Sequence, residues 1–355
     1  MRIGELEVPV PIVCAPMAGG PTTPALVAEV GEAGGLGMLA AGYLTADALE
    51  ELVIDVEGRS GRPYGVNIFL TGIDPCAGPG GADTWGAVQR YRGDLAVEAR
   101  RHGVEPGQPR FSDEAVDAKI DALARHRPGL VSFTFGDPGR ALIDRIHREI
   151  GAPVAVTVTS IDEAQTAARS GADALIAQGI EAGGHRGLWF DDPAVVAGGP
   201  AIPTAELVRT VATAVGLPVI AAGGVTDGEA VRSMIALGAI GAQLGTAFLC
   251  VDEAGTVAAH RTALLDRTYR DTVITRAFSG RSARSLRNGF AKRHADAPAA
   301  YPQVHHMTKP IRAAAGGAGV ADDINLWAGT GWRAVSPGST SDLMARLIAE
   351  FDDAP

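Results

Sequence analysis

Cysteine is scarce in this chain. The three residues, Cys14, Cys76 and Cys250, are far apart and odd in number, so neither a disulfide framework nor a paired CxxC metal site is expected, and a reducing cytoplasm is the compartment they suit. Long apolar runs are missing as well. Nowhere do eighteen apolar residues follow one another, and Met1 to Val13 has one arginine, two prolines and no cleavage-like tail, so neither a spanning helix nor an export signal is expected. No block of basic residues occurs either: 31 Lys and Arg stand against 41 Asp and Glu, a net charge of −10. That balance argues against a nucleic-acid surface or a membrane-binding basic helix. A P-loop, a G-x-S-x-G elbow and histidines at metal-ligand spacing are all absent, so no metal is expected. No protein partner or oligomeric state is readable.

What is plentiful is glycine, 46 of 355 residues, nearly twice the usual share of about 7%. The glycines follow no collagen-like period, so they point to many tight βα turns and to close approach of backbone to a ligand. Eight short apolar runs lack strict alternation and are read as parallel strands buried on both faces. They are Pro11–Ala15, Leu36–Ala41, Tyr64–Leu70, Leu130–Phe135, Pro153–Thr159, Ala174–Gln178, Pro218–Ala222 and Ala242–Leu249. Helix-like segments lie between them, with starts at Thr23-Pro24 and at the capping boxes Ser160–Glu163 and Thr226–Glu229; each ends at glycine. The expected fold is an α/β (β/α)8 TIM barrel.

Two strand-to-strand intervals are long. They place an insertion at residues 76–129, with a helix-like run from Ser112 to Arg125, and a Pro/Gly-rich loop between Gln178 and Pro203. Both emerge at the strands' carboxyl ends, where barrel active sites are built. The barrel is expected over 1–75 and 130–265. Residues 266–355, with the arginine-rich Arg276–Asn288 and the glycine-rich Gly316–Gly331, are expected to form a helical cap over the mouth.

Chemistry concentrates in a few places. Gly223-Gly224 follows the seventh strand and Gly245-Thr246 the eighth. In barrels these two loops commonly cradle a phosphate through backbone N–H groups. Asn67 inside an apolar strand and Gln178 at a strand end carry amides that must find partners. His185 follows Gly183-Gly184 in a loop overhanging the cavity, and imidazole suits proton transfer near neutrality.

Taken together, Ala15-Pro-Met-Ala-Gly-Gly20, Gly65-Val-Asn67, Glu181-Ala-Gly-Gly-His185, Ala222-Gly-Gly224 and Gln243-Leu-Gly-Thr246 resemble the nitronate monooxygenase family, flavin mononucleotide (FMN) enzymes on an α/β barrel. The resemblance runs from Ile12 to about Trp332. It implies that Met17, Asn67, Gln178, Gly183, Gly224, Gln243, Leu244, Gly245 and Thr246 hold the FMN, with His185 catalytic and Tyr301 and Lys309 on the substrate side. One departure is Thr134, in a strand where the better-characterised bacterial branch often has histidine. The implied reaction converts a nitronate or nitroalkane, with O2, to a carbonyl compound and nitrite; propionate-3-nitronate is among the implied substrates. His185 would then either remove the substrate's α-proton or, protonated, hold the nitronate oxygens.

Three other readings share these motifs. One is an NAD(P)H-dependent flavin reductase, acting on an enoyl thioester or a quinone. Another is an isomerase or lyase for sugar phosphates, since phosphate loops alone do not specify a flavin. The last is a barrel that only stores flavin.

Overall fold

The computed structural model describes residues 1–78 and 80–354. A hairpin of β1 (Arg2–Ile3) and β2 (Leu6–Glu7) comes first. Eight parallel strands then close into a barrel: β3 (Ile12–Cys14), β4 (Leu36–Ala40), β5 (Tyr64–Phe69), β6 (Leu130–Thr134), β7 (Val154–Val158), β8 (Ala174–Gln178), β10 (Val219–Ala222) and β11 (Gly241–Leu244). All eight expected runs are barrel strands, in sequence order around the ring.

Side chains alternate between two cores, as a closed barrel requires. Val13, Met38, Ala155 and Ile176 face inward and pack with Ile3, Leu6 and Val8, so the N-terminal hairpin plugs the bottom. Ile12, Leu39, Val66, Val131 and Val156 face outward against the helices. With the bottom of the barrel filled, its open end is at the carboxyl ends of the strands.

Seven helices connect or follow the strands as expected of the ring: α1 (Pro24–Glu32), α2 (Ala46–Arg59), α4 (Val116–His126), α5 (Gly139–Glu149), α6 (Ile161–Ser170), α7 (Thr204–Ala214) and α8 (Gly228–Ala236). Thr23 caps α1 by accepting the N–H of Leu26, and Ser160 caps α6 by accepting that of Glu163. The cap of α8 is Asp227, not Thr226: its carboxylate accepts the N–H of Ala230 at 2.8 Å. A carboxylate at this position answers the helix dipole more strongly than a hydroxyl.

Three further differences concern boundaries. The last strand stops at Leu244, where Gly245 turns the chain into a single 3-10 turn, Thr246–Phe248. The apolar run continues because Phe248 and Leu249 are buried as well, so hydrophobicity alone did not mark the end. The insertion holds a 21-residue helix, α3 (Gly81–Arg101), besides α4. The segment from 266 onward is mixed. It holds β12 (Thr272–Thr275), β13 (Ala283–Leu286), α10 (Gly289–Arg293), α11 (Gln303–Gly317) and α12 (Thr340–Asp353), and is preceded by α9 (Ala258–Leu265). β13 pairs with β12 and with β9 (Gly184–His185), so a small antiparallel sheet reaches the loop that carries His185. α12 returns to pack beside α8 and α1 and completes the ring. α3 packs Val88, Tyr91 and Leu95 against Phe278, Val304 and Met307 of the cap.

Among the described residues no helix is long and apolar enough to cross a membrane.

Candidate active site

A cavity of about 500 Å³ opens at the carboxyl ends of the strands. Of the residues expected in the site, Met17, Asn67, Thr134, Gln178, Gly183 and His185 line it, as do Gly223, Gly224, Gln243, Gly245, Thr246 and Lys309. Leu244 does not: it points outward from the barrel wall and is buried among the helices. Neither does Tyr301, which lies one layer behind the cavity wall.

The two glycine corners are neighbours, because β10 and β11 are adjacent and Ala222 pairs with Gln243. Gly223 and Gly224 adopt φ of +113° and +72°, a run of left-handed backbone that only glycine takes without strain. Thr246 Oγ1 accepts the N–H of Gly329 at 2.9 Å, tying the second corner to the segment that follows α11. Beside them, Gln243 Oε1 is buried with no partner among the described residues. An orphaned buried acceptor costs about 1–3 kcal/mol, so it marks a place for a ligand donor. Adjacent glycine corners with room for a phosphoryl group and a buried amide oxygen lacking a donor among the described residues suit the partners a flavin nucleotide presents, and the site fits one.

The two other amides are occupied differently. Asn67 donates to Ser132 Oγ and Thr134 Oγ1 at 2.9 and 3.0 Å, and Thr134 Oγ1 lies 3.1 Å from Thr157 Oγ1. Thr134 therefore belongs to a hydroxyl chain across three strands. Gln178 donates to the carbonyl of His185 and accepts the N–H of Gly187 at 2.7 Å, so it clamps the His185 loop. Gln178 also lines the cavity, where it was expected to meet a cofactor.

His185 stands among aromatic rings. Phe69, Phe135, Tyr301 and Trp327 surround it with ring centroids 5.4–6.5 Å away. Its Nε2 lies 2.8 Å from Ser279 Oγ, and Nδ1 has no partner among the described residues. Burial, followed by the charges of Arg281 and Arg312, pushes its pKa down to about 3. The imidazole is thus neutral at pH 7. Arg186, next in sequence, turns away from the cavity and donates to the carbonyls of Ala197 and Pro200, each at 2.6 Å.

The opposite wall is α11. His305, Lys309 and Arg312, at i, i+4 and i+7, all line the cavity, and among the described residues no Asp or Glu does. Arg312 donates to Thr308 Oγ1 and Asn325 Oδ1 at 3.0 and 2.8 Å, and burial lowers its pKa only to about 10, so it stays cationic. His305 stacks on Tyr43, ring centroids 3.9 Å apart. Tyr43 is held by the carboxylate of Glu114, which accepts its N–H at 2.9 Å and pairs with the fully buried Lys119 at 3.0 Å. Tyr43, Ser279, His305, Arg312 and Trp327 are cavity residues that the sequence motifs do not reveal. Only the α11 trio carries a local signal, its helical spacing.

A family model described as nitronate monooxygenase matches residues 3–350. A probable nitronate monooxygenase of Staphylococcus aureus is 34% identical over 351 residues, covering 98% of this chain and 96% of the relative. The solved structure of nitroalkane oxidase from Streptomyces ansochromogenes superposes with a TM-score of 0.92 at 44% identity, over 98% of this chain and 97% of that one. FabK from Thermotoga maritima is more distant, with a TM-score of 0.73 at 26% identity over 99% and 97% of the two chains.

Proposed function

The chain belongs to the nitronate monooxygenase family and is a flavin-dependent oxidoreductase, and from that premise we propose that it binds FMN and oxidises small nitroalkanes and their nitronates with O2, yielding a carbonyl compound and nitrite. Gly223, Gly224, Gly245 and Thr246 would hold the phosphoryl end of the cofactor, and Gln243 and the Met17 turn its ring. When bound, the flavin supplies the redox chemistry that amino-acid side chains lack.

The observation that carries the reading is the pairing of a neutral His185 with two cavity cations. Of the two roles open for this residue, proton acceptor is the one the geometry supports, since a neutral imidazole with a bare Nδ1 can take a proton from the substrate's α-carbon. Positioned general bases contribute roughly 10²–10⁴-fold. Removing that proton places negative charge on the nitro oxygens. Arg312 and the exposed Lys309, with no lining carboxylate among the described residues to compete, are suited to hold it, and the half-buried position of Arg312 strengthens its attraction. Phe69, Phe135 and Trp327 keep the region around His185 apolar and exclude water from the transferred proton.

The test is direct. Purified protein should be yellow, should consume O2 with a nitronate or a primary nitroalkane, and should release nitrite. Colourless protein would sink the flavin assignment. Yellow protein bleached anaerobically by NADH or NADPH but not by a nitronate would replace this reading with a reductase.

A further inference from the structure

Ser279 comes to His185 from far along the chain, 94 residues away, yet its hydroxyl is the one hydrogen-bond partner of the imidazole among the described residues. It sits on a turn from Arg276 to Gly280, closed by the N–H of Gly280 donating to the carbonyl of Arg276 at 2.8 Å. Gly280 has φ of +79°, and a Cβ there would fall 2.4 Å from the carbonyl oxygen of Ala300. The turn is therefore shaped for glycine. Asp191, from the His185 loop, fastens its start at Arg276 and the chain just past its end at Ser282. Its Oδ1 accepts from Arg276 Nη2 at 2.6 Å and from Ser282 Oγ at 2.8 Å, and its Oδ2 accepts the N–H of Ser282 at 2.8 Å. The main chains join as well, with His185 opposite Ala283 in the β9–β13 ladder.

A serine hydroxyl has one proton to give and two lone pairs to receive with. Ser279 Oγ lies 3.3 Å from the carbonyl of Arg281, which finds no other donor among the described residues, and accepts the N–H of Arg281 at 3.4 Å. If the hydroxyl proton goes to that carbonyl, the remaining lone pair faces His185 Nε2. Nε2 must then carry the imidazole proton, and the lone pair of the ring falls on Nδ1, the nitrogen without a protein partner. The alternative, hydroxyl to Nε2, leaves the carbonyl of Arg281, a buried residue, without a donor among the described residues, at a cost of about 1–3 kcal/mol where such an oxygen is shut off from water.

We infer that Ser279 is a positioning residue that fixes the neutral tautomer of His185 with the proton on Nε2, so that Nδ1 is the base presented to the substrate. The inference rests on the proton-acceptor role proposed above. In the step it serves, the α-carbon–hydrogen bond breaks, its electron pair passes into the nitronate, and the proton forms a bond to Nδ1; the ring becomes imidazolium with Nε2 still donating to Ser279. Control of a ring nitrogen by a hydrogen bond at the other is a general device for histidine.

The experiment uses the holoenzyme, labelled with 15N-histidine, as wild type, Ser279→Ala and Ser279→Thr. At pH 7 the wild-type His185 should show a protonated Nε2 and a bare Nδ1, and the alanine variant a mixture of tautomers. Turnover of a neutral nitroalkane should fall about tenfold or more in Ser279→Ala, turnover of the preformed nitronate should change little, and threonine, which keeps the hydroxyl, should restore much of the loss. A wild-type proton on Nδ1, or an equal loss with both substrates, or no loss with either, overturns the inference. An enzyme that oxidised neither substrate would instead overturn the proposed function, while the NMR result would still decide the tautomer.

Discussion

The guanidinium of Arg281 lies 3.9 Å from the centre of the Phe135 ring, buried, with no carboxylate in salt-bridge contact among the described residues. An aromatic face is a weak counterion, so the charge stays effective toward its surroundings, and His185 is next to it: the same Phe135 ring stands edge-on to the imidazole at 5.8 Å. After burial itself, Arg281 is the strongest influence holding the imidazole neutral. For the free enzyme, kcat/KM on a neutral nitroalkane should therefore be flat on the acid side from pH 8 to about pH 5, since protonation of His185 is pushed down to about 3. Arg281→Met should move the acid limb upward. An acid limb near the ordinary histidine value of about 6.5 in the wild type would refute the assignment.

Replacing His185 with alanine should leave the protein yellow, because the glycine corners and Gln243 that would hold the cofactor are on other elements. Its turnover of neutral nitroalkanes should drop by roughly 10²–10⁴-fold, and a preformed nitronate, which has no proton to lose, should be affected far less. Unchanged turnover of the neutral substrate would remove His185 from the chemistry.

Gln243 tests the cofactor site separately from catalysis. Its Oε1 is buried without a partner among the described residues, a cost relieved when a donor arrives. Gln243→Leu should leave the apoprotein at least as stable in thermal unfolding and weaken flavin binding by about 1–3 kcal/mol, or roughly 5- to 150-fold in Kd. Equal flavin affinity in titration would show that the amide faces something else.

The barrel was legible because strands buried on both faces read as unbroken apolar runs, and the glycine corners because a chain turning from strand to helix leaves a local mark. α3 was not read, although Val88, Tyr91, Leu95 and Ala99 repeat at helical spacing; charged residues between them masked the stripe. The surroundings of His185 were hidden for another reason. Phe135, Ser279 and Trp327 reach it from separate stretches of the chain, and contact across such separations leaves no local pattern. The pairing of Tyr301 with Lys309 came from resemblance alone, and only Lys309 lines the cavity.

Arg312 is held in place by Thr308 and Asn325 and faces a cavity with no acid lining it among the described residues. Arg312→Met should raise KM for a nitronate by about tenfold, the equivalent of roughly 1.4 kcal/mol, and alter kcat less, because the charge is present for bound anion and transition state alike. Steady-state kinetics with the nitronate would check this. A loss confined to kcat would place Arg312 in the chemical step instead.

Acid should unfold this protein earlier than its carboxylates alone would dictate. His260 is 5% exposed, its Nε2 has no partner among the described residues, and burial pushes its pKa down to about 4; His185 goes down to about 3. Both groups are near 6.5 in the unfolded chain. Below that pH the unfolded state takes up protons that the folded state refuses, so their contribution is intact above about 6.5 and is lost as pH falls toward 4. Each such histidine adds a slope of about 1.4 kcal/mol per pH unit once the unfolded form is fully protonated. Carboxylates with lowered values, such as Asp191 and Asp323, act only below their ordinary value near 3.9, a separate window. Thermal unfolding of the holoenzyme at pH 7, 6 and 5 should therefore show a falling Tm. His260→Phe, which removes one titrating group and its orphaned nitrogen together, should match the wild type at pH 7 and lose less by pH 5. Parallel slopes for the two proteins would mean that His260 is already protonated in the folded state.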